Sequence, residues 1–172
     1  MIHIRRATPE DTNTIAYIGR ITVEEAHRDS CSAEDMQTFL DANYTTDAIR
    51  KELEDNNNIY HLVFWNEQPA GFSKIILNAH HDNLPNEHTT KLDRIYLLKQ
   101  YYDLKLGHQL LQHNVAISRL AGQTGMWLFT WQGNERAVNF YKKAGLAIIG
   151  THRFKVSETH YNPHFQMLLE YI

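Results

Sequence analysis

The stretch Trp131–Gly145, WQGNERAVNFYKKAG, decides the fold, because it has the pattern of a short helix between two apolar strands. Asn134 is a residue type that caps helix N-termini, and Gly145 stands where helices commonly end. Four side chains at helical spacing form one stripe: Ala137, Phe140, Tyr141 and Ala144. The Tyr141 hydroxyl is the only polar group in that stripe, and a buried phenol needs a hydrogen-bond partner or a cavity. Tyr141 is therefore either a core aromatic bonded to a backbone carbonyl or a candidate acid for a group-transfer reaction.

The composition predicts one globular domain over residues 1–172. Hydrophobic residues make up 42% and aromatic residues 11% of the chain, and a chain of this size buries roughly 70% of its unfolded surface. The formal charge is -3, and no run of Lys and Arg stands out. This charge pattern argues against nucleic acid as a partner.

The lack of a recognisable targeting signal and the single cysteine predict a cytoplasmic protein that does not bind membranes. The single cysteine, Cys31, excludes an internal disulfide and favours a reducing compartment. The N-terminal residues lack the apolar core of a signal peptide, and no window approaches the roughly 20 apolar residues that span a bilayer.

Periodicity and turn signals predict an α/β (α+β) fold, a mixed sheet of about seven strands flanked on both faces by about four helices. The predicted strands cover residues 2–6, 60–65, 70–77, 92–98, 126–130, 146–154 and 165–171. Four helices are predicted: one that starts at Thr8, and three that cover residues 47–54, 106–121 and 134–144. Residues 29–46 have mixed, weak periodicity, so their structure stays open.

The C-terminal run resembles the GCN5-related N-acetyltransferase (GNAT) family, in which N-E-R-A-x-x-F-Y-x-K-x-G-F follows the fifth strand. The matching residues are Asn134, Glu135, Arg136, Ala137, Phe140, Tyr141, Lys143 and Gly145, whereas Leu146 replaces the usual Phe. The order of elements fits this family along the whole chain. The resemblance implies acetyl-CoA as co-substrate and transfer of its acetyl group to a primary amine by direct attack. It also implies that Tyr141 protonates the departing thiolate of coenzyme A.

The resemblance places the coenzyme's pyrophosphate at the loop before the 106–121 helix, where unpaired first-turn N–H groups attract anions. The family usually has R-G-x-G-x-G or A here. This chain keeps Gly107, but Tyr102 stands at the Arg position and Lys105 at the middle Gly. Lys105 can return the lost positive charge; alternatively, the segment is an ordinary strand-to-helix turn. The residues implied to hold coenzyme are Ile95, Tyr96, Leu97, Tyr102, Leu104, Lys105, Leu106, Gly107, His108, Asn134, Ala137 and Phe140.

The proton transfers define two further requirements. A primary amine has a pKa of about 10.4, so the site must accept its proton or select its neutral form. The resemblance suggests Asp93 as that base; the alternative is a surface pair with Arg94, whose side chain we expect on the opposite face of the strand. A Tyr with a pKa of about 10 can protonate a thiolate of about 8.5 at a cost of roughly 2 kcal/mol.

The loop between the third and fourth strands concentrates histidines and acids: His80, His81, Asp82, Glu87 and His88. Metal ligands need fixed spacing on rigid elements, so we interpret this polar loop as a solvated connection and expect no metal. Cys31 has no recognisable His partner, so we do not expect it to be a nucleophile.

The acceptor most suggested by the resemblance is a polyamine such as spermidine or spermine, because that branch shares the strand Arg94–Ile95–Tyr96. Eight acidic residues of the early helical region would attract a cation, unless they form only a solvated face: Glu24, Glu25, Glu34, Asp35, Asp41, Glu52, Glu54 and Asp55. The alternatives are acetylation of a protein N-terminus or lysine, and a coenzyme-binding module without catalysis. A homodimer is compatible with the sequence.

Overall fold

The computed structural model describes residues 1–172, in which seven strands form one mixed sheet. The strands are β1 Ile2–Arg6, β2 Ile59–Trp65, β3 Gln68–Ile76, β4 Thr89–Leu97, β5 Gly125–Trp131, β6 Ala147–Lys155 and β7 Tyr161–Glu170. Their order across the sheet is β1-β2-β3-β4-β5-β7-β6. The pair β4 and β5 is parallel, whereas every other neighbouring pair is antiparallel. The predicted mixed sheet of about seven strands is confirmed.

Five α-helices accompany the sheet: α1 Thr12–His27, α2 Ala33–Asn43, α3 Thr46–Glu54, α4 Leu106–Leu120 and α5 Glu135–Lys143. Short 3-10 turns precede α1 and α4. The helix beyond the predicted four is α2, which forms within the segment whose structure stayed open. Its periodicity is weak because it buries only Met36 and Leu40. None of the helices is both long enough and apolar enough to cross a lipid bilayer.

Side chains at the helix starts explain where the chain turns. The Ser32 hydroxyl accepts the N–H of Asp35 at 3.0 Å, and the Thr45 hydroxyl accepts the N–H of Ala48 at 3.1 Å. Asn134 Oδ1 accepts the N–H of Ala137 at 3.1 Å, so its predicted capping of α5 is confirmed. Each cap satisfies a donor that the helix leaves unpaired, and is worth about 1 kcal/mol.

Helices cover both faces of the sheet, as predicted. On one face, α1, α2 and α3 bury a core that includes Ile15, Leu40, Ile49, Leu62 and Phe72. On the other face, α4 and α5 pack on β3, β4 and β5, and that core includes Ile75, Leu111, Met126, Leu128 and Tyr141. The N-terminal end of α4 buries Leu106 and Leu110 against Val63 and Ala70.

The sheet opens between β4 and β5. These two strands pair only through Thr89, Thr90 and Lys91 of β4, and the rest of β4 has no partner on that side. On its other side, β4 contains a bulge: Leu92 pairs with Ile75 and Arg94 with Lys74, so Asp93 is the extra residue. A bulge bends its strand and increases its twist. The bulge and the divergence from β5 together create a cleft at the centre of the sheet.

Candidate active site

The β4–β5 opening holds a cleft with a volume of about 1220 Å³. One end lies at the N-terminus of α4 and the start of α5, and includes Gly107 and Asn134. The other end lies between the α1–α2 connection and the β6–β7 hairpin, and includes Ser30 and Asn162. The unpaired part of β4 forms its floor between these ends. We call the first end the α4 end and the second the hairpin end.

Tyr141 stands in the middle of this arrangement. Its residue is 8% exposed and belongs to the core under α4 and α5, yet it also lines the cleft. The hydroxyl makes no hydrogen bond within the protein, so the alternative of a phenol satisfied by a backbone carbonyl is excluded by the geometry. Burial raises the pKa of Tyr141 above its ordinary value, and nearby Tyr96 adds to that effect. The phenol therefore keeps its proton at neutral pH.

The α4 end has the geometry of an anion site. The first-turn amides of a helix have no intrahelical acceptor, and here they belong to Leu106, Gly107 and His108. The missing Cβ of Gly107 matters, because a Cβ there would lie 3.3 Å from Leu97 and 3.7 Å from Phe140. Lys105, at the family's middle Gly position, adopts the left-handed conformation with φ 60°. The backbone therefore takes the shape that glycine favours, although the residue is Lys.

Cations gather at the α4 end. The Arg136 guanidinium lies 3.5 Å from the ring centroid of Tyr102, so it brings a positive charge to the position where the family has Arg. The sequence pattern suggests only Lys105 as the source of that charge, so Arg136 is an addition from the structure. The charged side chains on this end of the cleft are Lys99, Lys105, Arg136 and Lys143, with Glu25 and Asp103 as the acids. The surplus of cations suits a polyphosphate.

Most of the residues predicted to hold coenzyme line the cleft. They are Ile95, Tyr96, Leu97, Tyr102, Lys105, Gly107, His108, Asn134, Ala137 and Phe140. Two do not: Leu106 is fully buried and Leu104 packs beside it in the small core between α4 and β2–β3. Their side chains are core residues, because the turn before α4 must be anchored to the sheet; only their backbones can contribute to the site.

Asp93 belongs to a buried ionic cluster rather than to a lone surface pair. Its carboxylate lies 3.1 Å from the ammonium groups of both Lys74 and Lys91, and 3.8 Å from Nε of Arg94. Glu52 closes the cluster at 2.7 Å from Lys74 and 3.5 Å from Arg94. Burial acts to raise the pKa of Asp93, but the three cations outweigh it and lower the pKa to about 2.

The bulge corrects the prediction that Asp93 and Arg94 point to opposite faces of β4. Strict alternation fails at the extra residue, so both side chains enter one cluster: Asp93 pairs with Lys74, Arg94 pairs with Glu52, and the two lie 3.8 Å from each other. Arg94 also donates a 2.7 Å hydrogen bond to the Tyr60 hydroxyl and packs over the Tyr44 ring. A period of two in the sequence cannot reveal a bulge, because no residue type marks its position here.

Rings line one side of the hairpin end. Tyr44 lies 6.3 Å from Phe39, Phe39 lies 5.9 Å from Phe154, and Phe154 stacks on His164 at 4.8 Å between centroids. All four line the cleft, and we call this row the aromatic wall. Facing the same space, the His27 ring lies 5.8 Å from Trp131, and its Nε2 is 3.4 Å from the Tyr96 hydroxyl.

The histidines at the hairpin end are neutral at pH 7. Burial lowers the pKa of His27 to about 4. Burial, aided by His27 and His152, likewise lowers the pKa of His164 to about 4. The buried Nδ1 of His164 has no hydrogen-bond partner. The ring residues at the hairpin end carry no recognisable signal in the sequence, because they come from separate elements. These are His27 of α1, Phe39 of α2, Phe154 of β6 and His164 of β7.

The acidic residues predicted to attract a polyamine are distributed differently from that expectation. Glu52 is paired with Lys74 in the ionic cluster, and Asp41 pairs with Arg20 at 3.0 Å. Of the eight, only Glu25 lines the cleft, and it influences the pKa of Tyr102 at the α4 end. The other seven do not line the cleft, and the acid at the hairpin end is instead Asp29, an exposed residue of the α1–α2 connection.

The histidines of the loop before β4 and the thiol of Cys31 do not form a catalytic arrangement. His81 packs against Trp127 and Phe129, and His80 lies 3.3 Å from the carbonyl of Asn86. No group of three or more His, Cys, Asp or Glu side chains converges as metal ligands would. Cys31 lines the hairpin end, half-buried, as a free thiol.

The chain is similar to known acetyltransferases along most of its length. The acetyltransferase (GNAT) family model matches residues 22–146, well over half of the chain. An uncharacterized N-acetyltransferase of Lactobacillus delbrueckii subsp. lactis is 25% identical over 157 residues, which cover 91% of each chain. An uncharacterized N-acetyltransferase of Mycobacterium bovis is 25% identical over 152 residues, 88% of this chain and 93% of that protein.

Solved structures share the fold at lower identity. The PaiA N-acetyltransferase from Thermoplasma acidophilum, in complex with coenzyme A, has a TM-score of 0.79 at 20% identity over 99% of both chains. An acetyltransferase of the GNAT family from Streptococcus pneumoniae has a TM-score of 0.67 at 24% identity, covering 99% of this chain and 100% of that one. The cleft, the fold and the matched family model lead to one conclusion: the chain belongs to the GNAT family of acetyltransferases.

Proposed function

We propose that this enzyme transfers the acetyl group of acetyl-CoA to a primary amine by direct attack within the cleft. The observation that carries the proposal is the unbonded Tyr141 hydroxyl, which lines the same cleft as the unpaired edge of β4 and the N-terminus of α4. Acetyl-CoA, a thioester, needs these three elements: a strand edge for its amides, hydrogen-bond donors for its phosphates and an acid for its leaving group.

The residues present fit coenzyme A. The backbone of Ile95, Tyr96 and Leu97 has no partner toward β5, so it can pair with the amides of the pantetheine arm. The pyrophosphate would lie against the amides from Leu104 to His108, beside Lys105 and Arg136. Asn134, Ala137 and Phe140 would flank the arm from α5. The coenzyme A complex of the Thermoplasma PaiA enzyme, which has a similar fold, supports this placement.

The chemistry then assigns a role to Tyr141. Acetyl-CoA supplies an activated acetyl group as a thioester. The amine nitrogen attacks the carbonyl carbon, a C–N bond forms, the C–S bond breaks, and the sulfur leaves with the electron pair. Tyr141 donates its proton to that sulfur, and the proton that the attacking nitrogen loses passes to water in the cleft, from which the phenolate is reprotonated. Burial raises the pKa of the phenol, but it disfavours the neighbouring thiolate anion too, so the driving force for transfer changes less than the pKa of Tyr141 alone.

Asp93 is a poor candidate for the base that it was predicted to be. A carboxylate with a pKa of about 2 that is held by Lys74 and Lys91 accepts a proton only weakly at neutral pH. We propose instead that Asp93 holds the bulge of β4 in shape through its ion pairs. The amine would enter in its neutral form or lose its proton to water in the cleft.

The test is release of free coenzyme A thiol from acetyl-CoA in the presence of a panel of primary amines. We expect thiol release that depends on both the protein and an amine, and a melting temperature that rises with acetyl-CoA. Acetyl-CoA without amine controls for hydrolysis. Thermal stabilisation by acetyl-CoA without thiol release would support a coenzyme-binding module that lacks catalysis. No stabilisation at millimolar acetyl-CoA would refute the proposed function.

The predicted polyamine acceptor and the predicted protein N-terminus or lysine acceptor remain separate proposals within this function. Spermidine, spermine and an N-terminal peptide therefore belong in the panel. A preference for spermidine that weakens with added salt would support an electrostatically recognised polyamine.

A further inference from the structure

The side chains at the hairpin end have no role in the proposed acetyl-transfer step, and they indicate which kind of acceptor binds there. Its aromatic wall runs without interruption from α2 to β7, through Tyr44, Phe39, Phe154 and His164. Every neighbouring pair of rings in that wall lies within 6.3 Å between centroids. His27 and Trp131 face the same space. Tyr44 and His164 are buried, so the half-buried Phe39 and Phe154 present the flat, apolar surfaces against which another ring packs well.

The charges near this wall disfavour a second ammonium group. The ionic cluster contains three cations, Lys74, Lys91 and Arg94, against two carboxylates, Glu52 and Asp93. Each carboxylate is already within 3.1 Å of at least one lysine. The cluster thus carries a net charge of +1, and the other carboxylate that lines the hairpin end is the exposed Asp29, beside Arg28.

Aromatic faces can also attract cations, so their availability decides between the two kinds of acceptor. The Arg94 guanidinium already occupies a face of Tyr44 at 4.8 Å. One face of Phe154 is covered by His164, with the two planes within 17° of parallel. His27 and His164 are neutral, so neither ring attracts a cation by its charge. The wall therefore offers ring edges and planar contacts rather than a cage of free faces around a cation.

We infer that the acceptor is a primary monoamine carried on an aromatic body, with its ring against the aromatic wall and its amine toward the β4–β5 opening. This inference deepens the proposed function and rests on it. A second cationic group held beside the wall would meet the positive cluster, whereas the exposed Asp29 lies on the α1–α2 connection, next to Arg28. A phenylethylamine-type compound has the required single amine and single ring.

The test compares kcat/KM for 2-phenylethylamine, n-hexylamine, spermidine and a peptide with a free N-terminus, at saturating acetyl-CoA and constant ionic strength. We expect 2-phenylethylamine to exceed n-hexylamine by about two- to tenfold, the usual worth of an aromatic pair beyond area burial, and to exceed spermidine by more. A higher kcat/KM for spermidine or for the peptide would overturn the inference.

Two variants locate the preference on the wall. Phe154→Leu and Phe39→Leu keep apolar bulk, so the fold should persist in a melting curve. Each should raise KM for 2-phenylethylamine about two- to tenfold, and leave KM for acetyl-CoA unchanged. Tyr17→Leu, at a residue on α1 that is 65% exposed and outside the cleft, is the matched control. Equal KM values in all three variants would overturn the inference.

The two levels of failure are distinguishable. Thiol release with any amine in the panel supports acetyl transfer, even when the aromatic amine is not preferred. Binding of acetyl-CoA without turnover of 2-phenylethylamine would overturn the inference about the acceptor. Failure to bind acetyl-CoA would instead refute the proposed function itself.

Discussion

Replacement of Asp93 by Asn separates two roles for this residue. If Asp93 holds the bulge through ion pairs, Asp93→Asn leaves Lys74 and Lys91 facing a neutral amide in a buried cluster. The free energy of unfolding should then fall, whereas the acetyl-transfer step should be retained. If Asp93 were instead the base, kcat would fall by about 10²–10⁴ and stability would be kept.

The size of the stability loss follows from the pKa. The pKa of the Asp93 carboxyl falls from its ordinary value of 3.8 to about 2 in the folded protein. At about 1.36 kcal/mol per unit, the ion pairs contribute about 2 kcal/mol. Because the folded-state pKa is the lower one, this contribution is fully present above pH 3.8. It is lost as the pH falls toward 2.

Urea unfolding of the wild-type protein and of Asp93→Asn, at several pH values between 3 and 7, measures this difference. We expect a gap of about 2 kcal/mol at pH 7 that begins to close below pH 4. Asp47→Asn is the control, since Asp47 is exposed and its pair with Arg50 is 3.7 Å long; it should match the wild type. An Asp93→Asn protein of wild-type stability whose kcat falls a hundredfold would refute the charge-holding role.

Three further predictions concern the α4 end and the acid. Gly107→Val should diminish the rise in melting temperature caused by acetyl-CoA, because its Cβ would crowd Leu97 at 3.3 Å; an undiminished rise would contradict the phosphate site. Lys105→Gly should raise the free energy of unfolding by about 0.5–1 kcal/mol, since glycine adopts positive φ without strain; urea unfolding checks this, and a loss would contradict it. Burial raises the pKa of Tyr141 above 10.0, so kcat should show no alkaline decline centred below pH 9 that depends on Tyr141.

The sequence predicted the fold closely because the sheet and most helices have regular periodicity. The Asn134 cap, the hairpin at residues 66–69 and the α4 helix each followed from a local pattern. The segment 29–46 was not predicted, because α2 buries only two side chains and so gives little periodic signal.

The candidate site was predictable at the α4 end and largely hidden at the hairpin end. Gly107 and Tyr141 belong to continuous motifs, whereas the wall residue Phe39 and its neighbour Phe154 are 115 positions apart and meet only in the fold. Arg136 was quoted as part of a motif, but its stacking on Tyr102 depends on how α5 sits beside the turn before α4. The bulge at Asp93 was missed because it is a register shift between strands.

Steady-state kinetics of Tyr141→Phe test the central claim most directly. The change removes one oxygen that has no hydrogen-bond partner within the protein, so the melting temperature should stay close to the wild-type value. If the hydroxyl protonates the leaving thiolate, kcat should fall by about 10²–10⁴, while KM for acetyl-CoA changes far less. A Tyr141→Phe protein that retains near-wild-type kcat with the same amine would contradict the account and remove Tyr141 from the mechanism.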